Sequence, residues 1–149
     1  MPGIELRSSA FNDHDLMPER LSKLGGNVSP PLTWSGVPEG TAELALMVED
    51  PDGGAPFLHW LVTGIDPAAT EVPEGRVPSR GAEWVNSFGN PGWGGPQPPK
   101  GDNQHRYFFR LHALSGPLQV PDRPDVERLH RAIADRELAS GTLVGTFAR

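Results

Sequence analysis

The sequence contains no cysteine, which excludes disulfide bonds, thiol catalysis and cysteine-based zinc sites. Basic residues are also relatively few: 13 Lys and Arg against 19 Asp and Glu, for a formal net charge of -6 at pH 7. An acidic chain is poorly suited to binding nucleic acid or an anionic membrane surface, although it can still hold a small local anion site. We therefore expect no nucleic-acid partner.

Long apolar runs are lacking as well. No stretch approaches the roughly 20 apolar residues that a membrane-spanning helix needs. Residues 1–10 carry Glu5 and Arg7 and lack the apolar core of a signal peptide. These absences predict a cytoplasmic protein that does not insert into a membrane.

Glycine and proline are abundant, with 18 and 17 copies among 149 residues. Such a composition favours many tight turns, and so a β-rich fold over a helical bundle. Compact apolar or alternating segments predict strands at 4–8, 32–35, 44–48, 60–65, 83–88, 106–114 and 142–147. Val126, Leu129 and Ile133 repeat at helical spacing and predict one C-terminal helix packed on the sheets. We expect a single, mostly β domain over residues 1–149.

The stretch 49–60 is the first candidate for a functional site. Asp50 and Asp52 follow a buried strand, and His59 opens the next one. If the chain stays extended from Asp50 to Asp52, both carboxylates point the same way, because strand side chains alternate. Asp-Pro-Asp-Gly is also ordinary turn chemistry, so these residues alone leave a structural role open.

A second stretch repeats this arrangement. The Gly- and Pro-rich loop 89–101 leads to His105 at the head of a strand, and Tyr107 lies on the same face. Arg106 points the other way and is expected to form a structural ion pair. His112 has the opposite parity to His105, so it should not reach the same site.

Several motifs together resemble the phosphatidylethanolamine-binding protein family, which includes the Raf kinase inhibitor proteins, and in particular its bacterial and archaeal branch. The motifs are Asp50-Pro51-Asp52 with Pro56 and His59-Trp60, Pro98-Pro99-Lys100-Gly101 running into His105-Arg106-Tyr107, Asn27 to Trp34, and Leu143 to Phe147. The resemblance covers nearly the whole chain. It implies an antiparallel β-sandwich with a small anion-accepting pocket at one end.

The resemblance also implies the residues of that pocket: Asp50, His59, His105 and Tyr107, with Asp52 and Pro56 at the rim. It assigns no catalytic residue, metal or cofactor. It admits a homodimer and a kinase or protease as a protein partner. Because the sequence ends at Arg149, regulation of a kinase as in the animal members is not implied.

The residues favour binding of a small anion or a phosphorylated headgroup. His59 and His105 would donate as imidazolium groups if Asp50 outweighs the effect of burial, and amides of loop 89–101 would add donors. The alternative is a hydrolase or other enzyme that uses the Asp and His residues of the pocket, although no clear nucleophile accompanies them. A regulatory inhibitor is the third class.

Three further residues are expected to lie outside the pocket chemistry or at its edge. Trp93 lids the pocket, touches a partner or covers the backbone of its own loop. His14 is expected to be a solvated loop residue, and His130 to lie on the water-facing side of the helix.

Overall fold

The computed structural model describes residues 3–122 and 124–149. Within these residues the chain forms nine β-strands and one α-helix, with a short 3₁₀ helix at Glu19–Leu21. In chain order the elements are β1 (Glu5–Arg7), β2 (Asp15–Leu16), β3 (Leu32–Ser35), β4 (Glu43–Asp50), β5 (Phe57–Ile65), β6 (Glu71–Val72), β7 (Ala82–Glu83), β8 (His105–Leu114), α1 (Val126–Ala134) and β9 (Glu137–Phe147).

The strands form two sheets that pack face to face. One sheet has three strands in the order β1-β3-β6, and the other has six in the order β2-β9-β8-β4-β5-β7. Trp34 of the small sheet and Leu46 and Phe109 of the large sheet belong to one buried cluster. The predicted mostly β sandwich with one helix is confirmed. One pairing departs from the antiparallel rule, since β2 runs parallel to β9.

The large sheet is covered on both faces, which explains the continuous apolar sequence of β4. Leu46 and Val48 face the small sheet, whereas Ala45 and Met47 belong to a second cluster with α1. Strands covered on both sides read as unbroken apolar runs. The same alternation sends Asp50 toward the sandwich interior and Glu49 toward the helix side.

Helix α1 begins at a side-chain cap, Asp125. The Asp125 carboxylate accepts hydrogen bonds from the Glu127 and Arg128 backbone N–H groups at 2.9 and 3.2 Å. These bonds satisfy donors that the first helical turn would otherwise leave free. Val126 and Leu129 are among the residues that the helix buries against the sheet. No helix in the described ranges is long and apolar enough to cross a bilayer.

His130 corrects a prediction. It was expected on the water-facing side of the helix, but its Nε2–H donates to the Glu49 carboxylate at 2.7 Å, and the side chain is only partly exposed. Arg110 donates to the same carboxylate oxygen at 2.6 Å. The reason is that a buried carboxylate needs partners, and the helix residue above it supplies one.

Candidate functional site

Three strand ends converge at one end of the sandwich. Asp50 ends β4, His59 lies near the start of β5, and His105 begins β8. The antiparallel register places Glu49 opposite Phe108, so Asp50 comes next to the head of β8. The hollow between them has a volume of about 280 Å³ and is lined by Asp50, Asp52, Gly53, Ala55, Phe57, His59, Phe88, Gln97, Pro98, Pro99, Asp102, His105 and Tyr107.

Asp50 and His105 form the buried ion pair of this cavity. The His105 Nδ1–H donates to Asp50 Oδ2 at 2.6 Å, and each side chain is only 7% exposed. The other Asp50 oxygen accepts the Asp52 backbone N–H at 2.7 Å. Both carboxylate oxygens are therefore used to hold the ring and the turn that follows β4.

Asp102 lies on the other side of the same ring. Its Oδ2 is 3.2 Å from His105 Nε2, and its side chain is 49% exposed. Burial disfavours the charged ring, but the hydrogen bond and negative charge of Asp50, with those of Asp102, outweigh it and raise the pKa of His105. His105 is thus set up to be an imidazolium with two N–H donors.

The pKa of His59 shifts in the opposite direction to that of His105. Burial is the dominant influence and lowers the pKa of His59, because Asp50 and the Gly94 carbonyl only partly offset it. Its Nδ1–H donates to the Gly94 carbonyl at 2.6 Å. A neutral ring with a proton on Nδ1 has a lone pair on Nε2. The carboxylates therefore outweigh burial at His105, whereas burial outweighs Asp50 at His59.

Aromatic side chains form one wall of the cavity. The His59 ring lies 5.2 Å from the Tyr107 ring and 4.8 Å from Phe57, and Phe57 contacts Phe88 at 4.7 Å, all between centroids. Tyr107 is almost fully buried. Burial and the charges of Asp50 and Asp52 raise the pKa of its phenol, so the hydroxyl remains protonated at neutral pH.

The two acids of the Asp-Pro-Asp motif line the same cavity but do not lie on an extended chain. The hydrogen bond from the Asp52 N–H to Asp50 turns the backbone there. Asp52 then accepts the Arg106 backbone N–H at 2.7 Å and two guanidinium N–H groups at 3.0 and 2.7 Å. Hydrogen bonds from Arg106 lower the pKa of Asp52, despite some burial. The predicted structural role of Arg106 is confirmed.

Pro56 does not shape the rim as expected. It is exposed and lies outside the residues that line the hollow, where Ala55 stands instead. Gly54 has a positive φ of 99°, which bends the loop before Pro56.

Loop 89–101 supports the site in a different way from that predicted. Two of its amides are engaged within the protein: the Gly94 N–H donates to the His59 carbonyl, and the Gly95 N–H donates to Asn27 Oδ1 at 2.7 Å. Trp93 is not a lid. It stacks on Phe109 with centroids 5.9 Å apart and donates from Nε1 to the Leu21 carbonyl at 3.1 Å. These hydrogen bonds and the stacking of Trp93 anchor the loop to the core.

The sequence interpretation missed Asp102, Phe88 and Gln97, which also line the cavity. For Asp102 a signal existed, since it is an acid three residues before His105 in a loop that bends at Gly101. Phe88 and Gln97 carried no such signal. His112 lies outside this lining, as its strand parity predicted, and bonds Glu137 at 2.8 Å. In residues 3–122 and 124–149 no three His, Asp or Glu side chains are grouped as metal ligands.

A larger depression of about 540 Å³ lies along β1 and β9. Its titratable side chains, Glu5, Arg7 and Asp13, are all exposed. A buried ion pair facing a hollow is the stronger sign of a binding site, because its desolvated charges interact more strongly with a ligand. We therefore take the cavity around His105 as the candidate site.

Comparison with known proteins places the chain in a family. The family model for the phosphatidylethanolamine-binding protein matches residues 7–148. The chain belongs to this family. Relatives of this chain include a Mycobacterium tuberculosis protein provisionally named lipoprotein LppC. The two are 42% identical over 145 residues, which cover 97% of this chain and 72% of LppC.

Two further relatives align with this chain over almost their full length and almost its full length. The UPF0098 protein of Methanothermobacter thermautotrophicus is 37% identical, over 98% of this chain and 99% of its own. The crystal structure of Escherichia coli YbcL, described as a new member of the mammalian PEBP family, superposes with a TM-score of 0.90 at 29% identity, covering 99% of each chain. The resemblance inferred from the motifs is confirmed at the level of family and fold.

Proposed function

We propose that this protein binds a small oxyanion, inorganic phosphate or the phosphate of a phosphorylated headgroup, in the cavity around His105. The observation that carries the proposal is the buried ion pair: Asp50 holds the His105 ring at 2.6 Å and favours its protonated form. A protonated imidazole facing a hollow is a charge-assisted donor for an oxyanion. The volume, about 280 Å³, lies near the lower end of the range of ligand sites and suits a small ligand.

The remaining lining supports a headgroup with one polar end. Tyr107 contributes a protonated hydroxyl, and His59 contributes an acceptor nitrogen. Phe57 and Phe88 supply an apolar surface beside them. Charge-assisted hydrogen bonds contribute about 1.5–3 kcal/mol each, so we expect weak, reversible binding from one such donor with a few neutral contacts.

Calorimetric titration with inorganic phosphate at pH 5.5 and 8.5 tests the proposal. We expect tighter binding at pH 5.5, because the imidazolium form of His105 donates to the anion. As pH rises through the raised pKa of His105, the ring loses its proton and this donor is lost. His105→Ala should abolish binding. His14→Asn is the matched control, because it removes an exposed imidazole outside the cavity at a position of positive φ that Asn tolerates. Undiminished binding by His105→Ala would refute the proposal.

The enzyme alternative rests on the Asp and His residues of the lining and stays a prediction. Among the described residues that surround the cavity there is no Ser, Thr, Cys or Lys, and the Tyr107 phenol is kept protonated. A role as inhibitor of a kinase or protease, a homodimer and a cytoplasmic location stay predictions. Pull-down with wild type and His105→Ala checks the inhibitor role. Light scattering checks the homodimer, and cell fractionation checks the location.

A further inference from the structure

One carboxylate already occupies the place that an anion would need. His105 has two N–H donors, and Nδ1–H is committed to Asp50 at 2.6 Å. Only Nε2–H remains for a ligand, and Asp102 Oδ2 stands 3.2 Å from it. We propose that Asp102 is a specificity-determining residue whose carboxylate an incoming oxyanion must displace from His105 Nε2. This inference rests on the proposed function.

The two carboxylates on the ring are held very differently. Asp50 is 7% exposed and also caps the Asp52 N–H, whereas the Asp102 side chain is 49% exposed. A separation of 3.2 Å is longer than the 2.7–2.9 Å typical of charge-assisted N–H···O bonds. Asp102 is therefore the weaker partner and the one that a ligand can replace.

The backbone around Asp102 allows its side chain to leave without unfolding the loop. The Asp102 N–H donates to the Pro99 carbonyl at 3.1 Å, and Gly101 takes a positive φ of 89° in that turn. Within residues 3–122 and 124–149 the carboxylate makes no hydrogen bond besides the one to His105. Rotation of the side chain alone releases it into solvent.

The charges around His105 give the displacement its selectivity. Asp50 from β4 and Asp102 from the loop face the imidazolium, His59 from β5 is neutral beside it, and Asp52 is neutralised by Arg106. These lining groups carry one more negative than positive charge while His105 is protonated. A dianion is therefore disfavoured more than a monoanion, because repulsion by Asp102 grows with ligand charge.

The closing experiment compares wild type with Asp102→Asn by calorimetry with inorganic phosphate at pH 5.5. At this pH phosphate is chiefly a monoanion, and Asp50 still favours the protonated His105. The amide keeps the shape of the side chain and removes its charge. We expect phosphate to bind about tenfold more tightly, equal to about 1.4 kcal/mol. Sulfate, a dianion at this pH, should gain more than phosphate.

Asp135→Asn is the matched control, because it removes the same charge at the exposed end of α1. Asp102→Ala is a second variant that removes the competing acceptor altogether, and it should also bind more tightly. Equal or weaker phosphate binding by Asp102→Asn than by wild type would overturn this inference and leave the proposed function standing. Absence of phosphate binding from both proteins would overturn the two together.

Discussion

Replacing Asp50 by asparagine tests the ion pair on which the candidate site depends. Asp50 accepts from His105 with one oxygen and from the Asp52 N–H with the other, at 2.6 and 2.7 Å. An amide has a single acceptor oxygen. Asp50→Asn can therefore satisfy only one of the two donors, and it removes the negative charge that favours the His105 imidazolium.

The size of the effect follows from burial. Both side chains of the pair are 7% exposed, so solvent screens the interaction little. A hydrogen bond to a charged group is worth about 1.5–3 kcal/mol. We expect Asp50→Asn to lower the free energy of unfolding by about 2 kcal/mol at pH 5.5. For a chain of this size that corresponds to a fall in Tm of about 4–8 °C.

The loss should depend on pH in a definite direction. The pKa of His105 is higher in the folded than in the unfolded protein, so protonation of His105 stabilises the fold. This stabilisation is fully present below the unfolded-state pKa of about 6.5 and is lost as pH rises through the folded-state pKa. Urea unfolding at pH 5.5 and at pH 9 compares the protein with His105 protonated and with His105 neutral, and Asp135→Asn is the control. An equal loss at the two pH values would refute the reasoning, as would no loss at pH 5.5.

Three other predictions follow from contacts outside the pair. Gly95→Ala places a Cβ against the Leu21 carbonyl oxygen and should cost about 1–3 kcal/mol in urea unfolding, whereas Gly116→Ala, with its nearest atom at 4.0 Å, should be neutral. Glu49→Gln removes the charge of a buried carboxylate that accepts hydrogen bonds from Arg110 and His130, both partly exposed, and should cost about 1–2 kcal/mol, with unchanged phosphate binding as the contrasting readout. The pKa of Asp52 is lowered by hydrogen bonds from its guanidinium partner, so its contribution is present above about pH 3.9 and lost as pH falls through the folded pKa. Asp52→Asn should thus unfold more readily than wild type at pH 7, and the difference should shrink as pH falls below about 3.9; a constant difference would contradict this.

The strand interiors were predictable because burial leaves a local pattern in the sequence. A strand buried on one face alternates apolar and polar residues, and a strand buried on both faces is an apolar run. The prediction for 44–48 lies inside β4, and that for 106–114 lies inside β8. The ends of the strands were not predictable, since they depend on pairing partners far along the chain. Strand β9 begins at Glu137, five residues before the predicted start, because Glu137 pairs with Leu114. The two-residue strands β2 and β6 exist only through such pairings.

The candidate site was predictable in its main members and not in its electrostatics. Parity along the strands brought Asp50, His105 and Tyr107 to one cavity, as the motifs implied. The opposite pKa shifts of His59 and His105 depend on how deeply the fold buries His59 and on the two carboxylates, Asp50 and Asp102, that it places against His105. Asp102 was missed because its contact to His105 depends on how the loop turns at Gly101.

Tyr107 makes the cavity unusually easy to observe. It is the single tyrosine of the chain, and its ring lines the hollow beside His59. Growth on ring-¹³C tyrosine would place one NMR label in the protein, at the position where a ligand arrives. All four tryptophans lie outside the cavity lining, so intrinsic fluorescence would follow unfolding of the core while the signals of that one labelled ring follow occupancy.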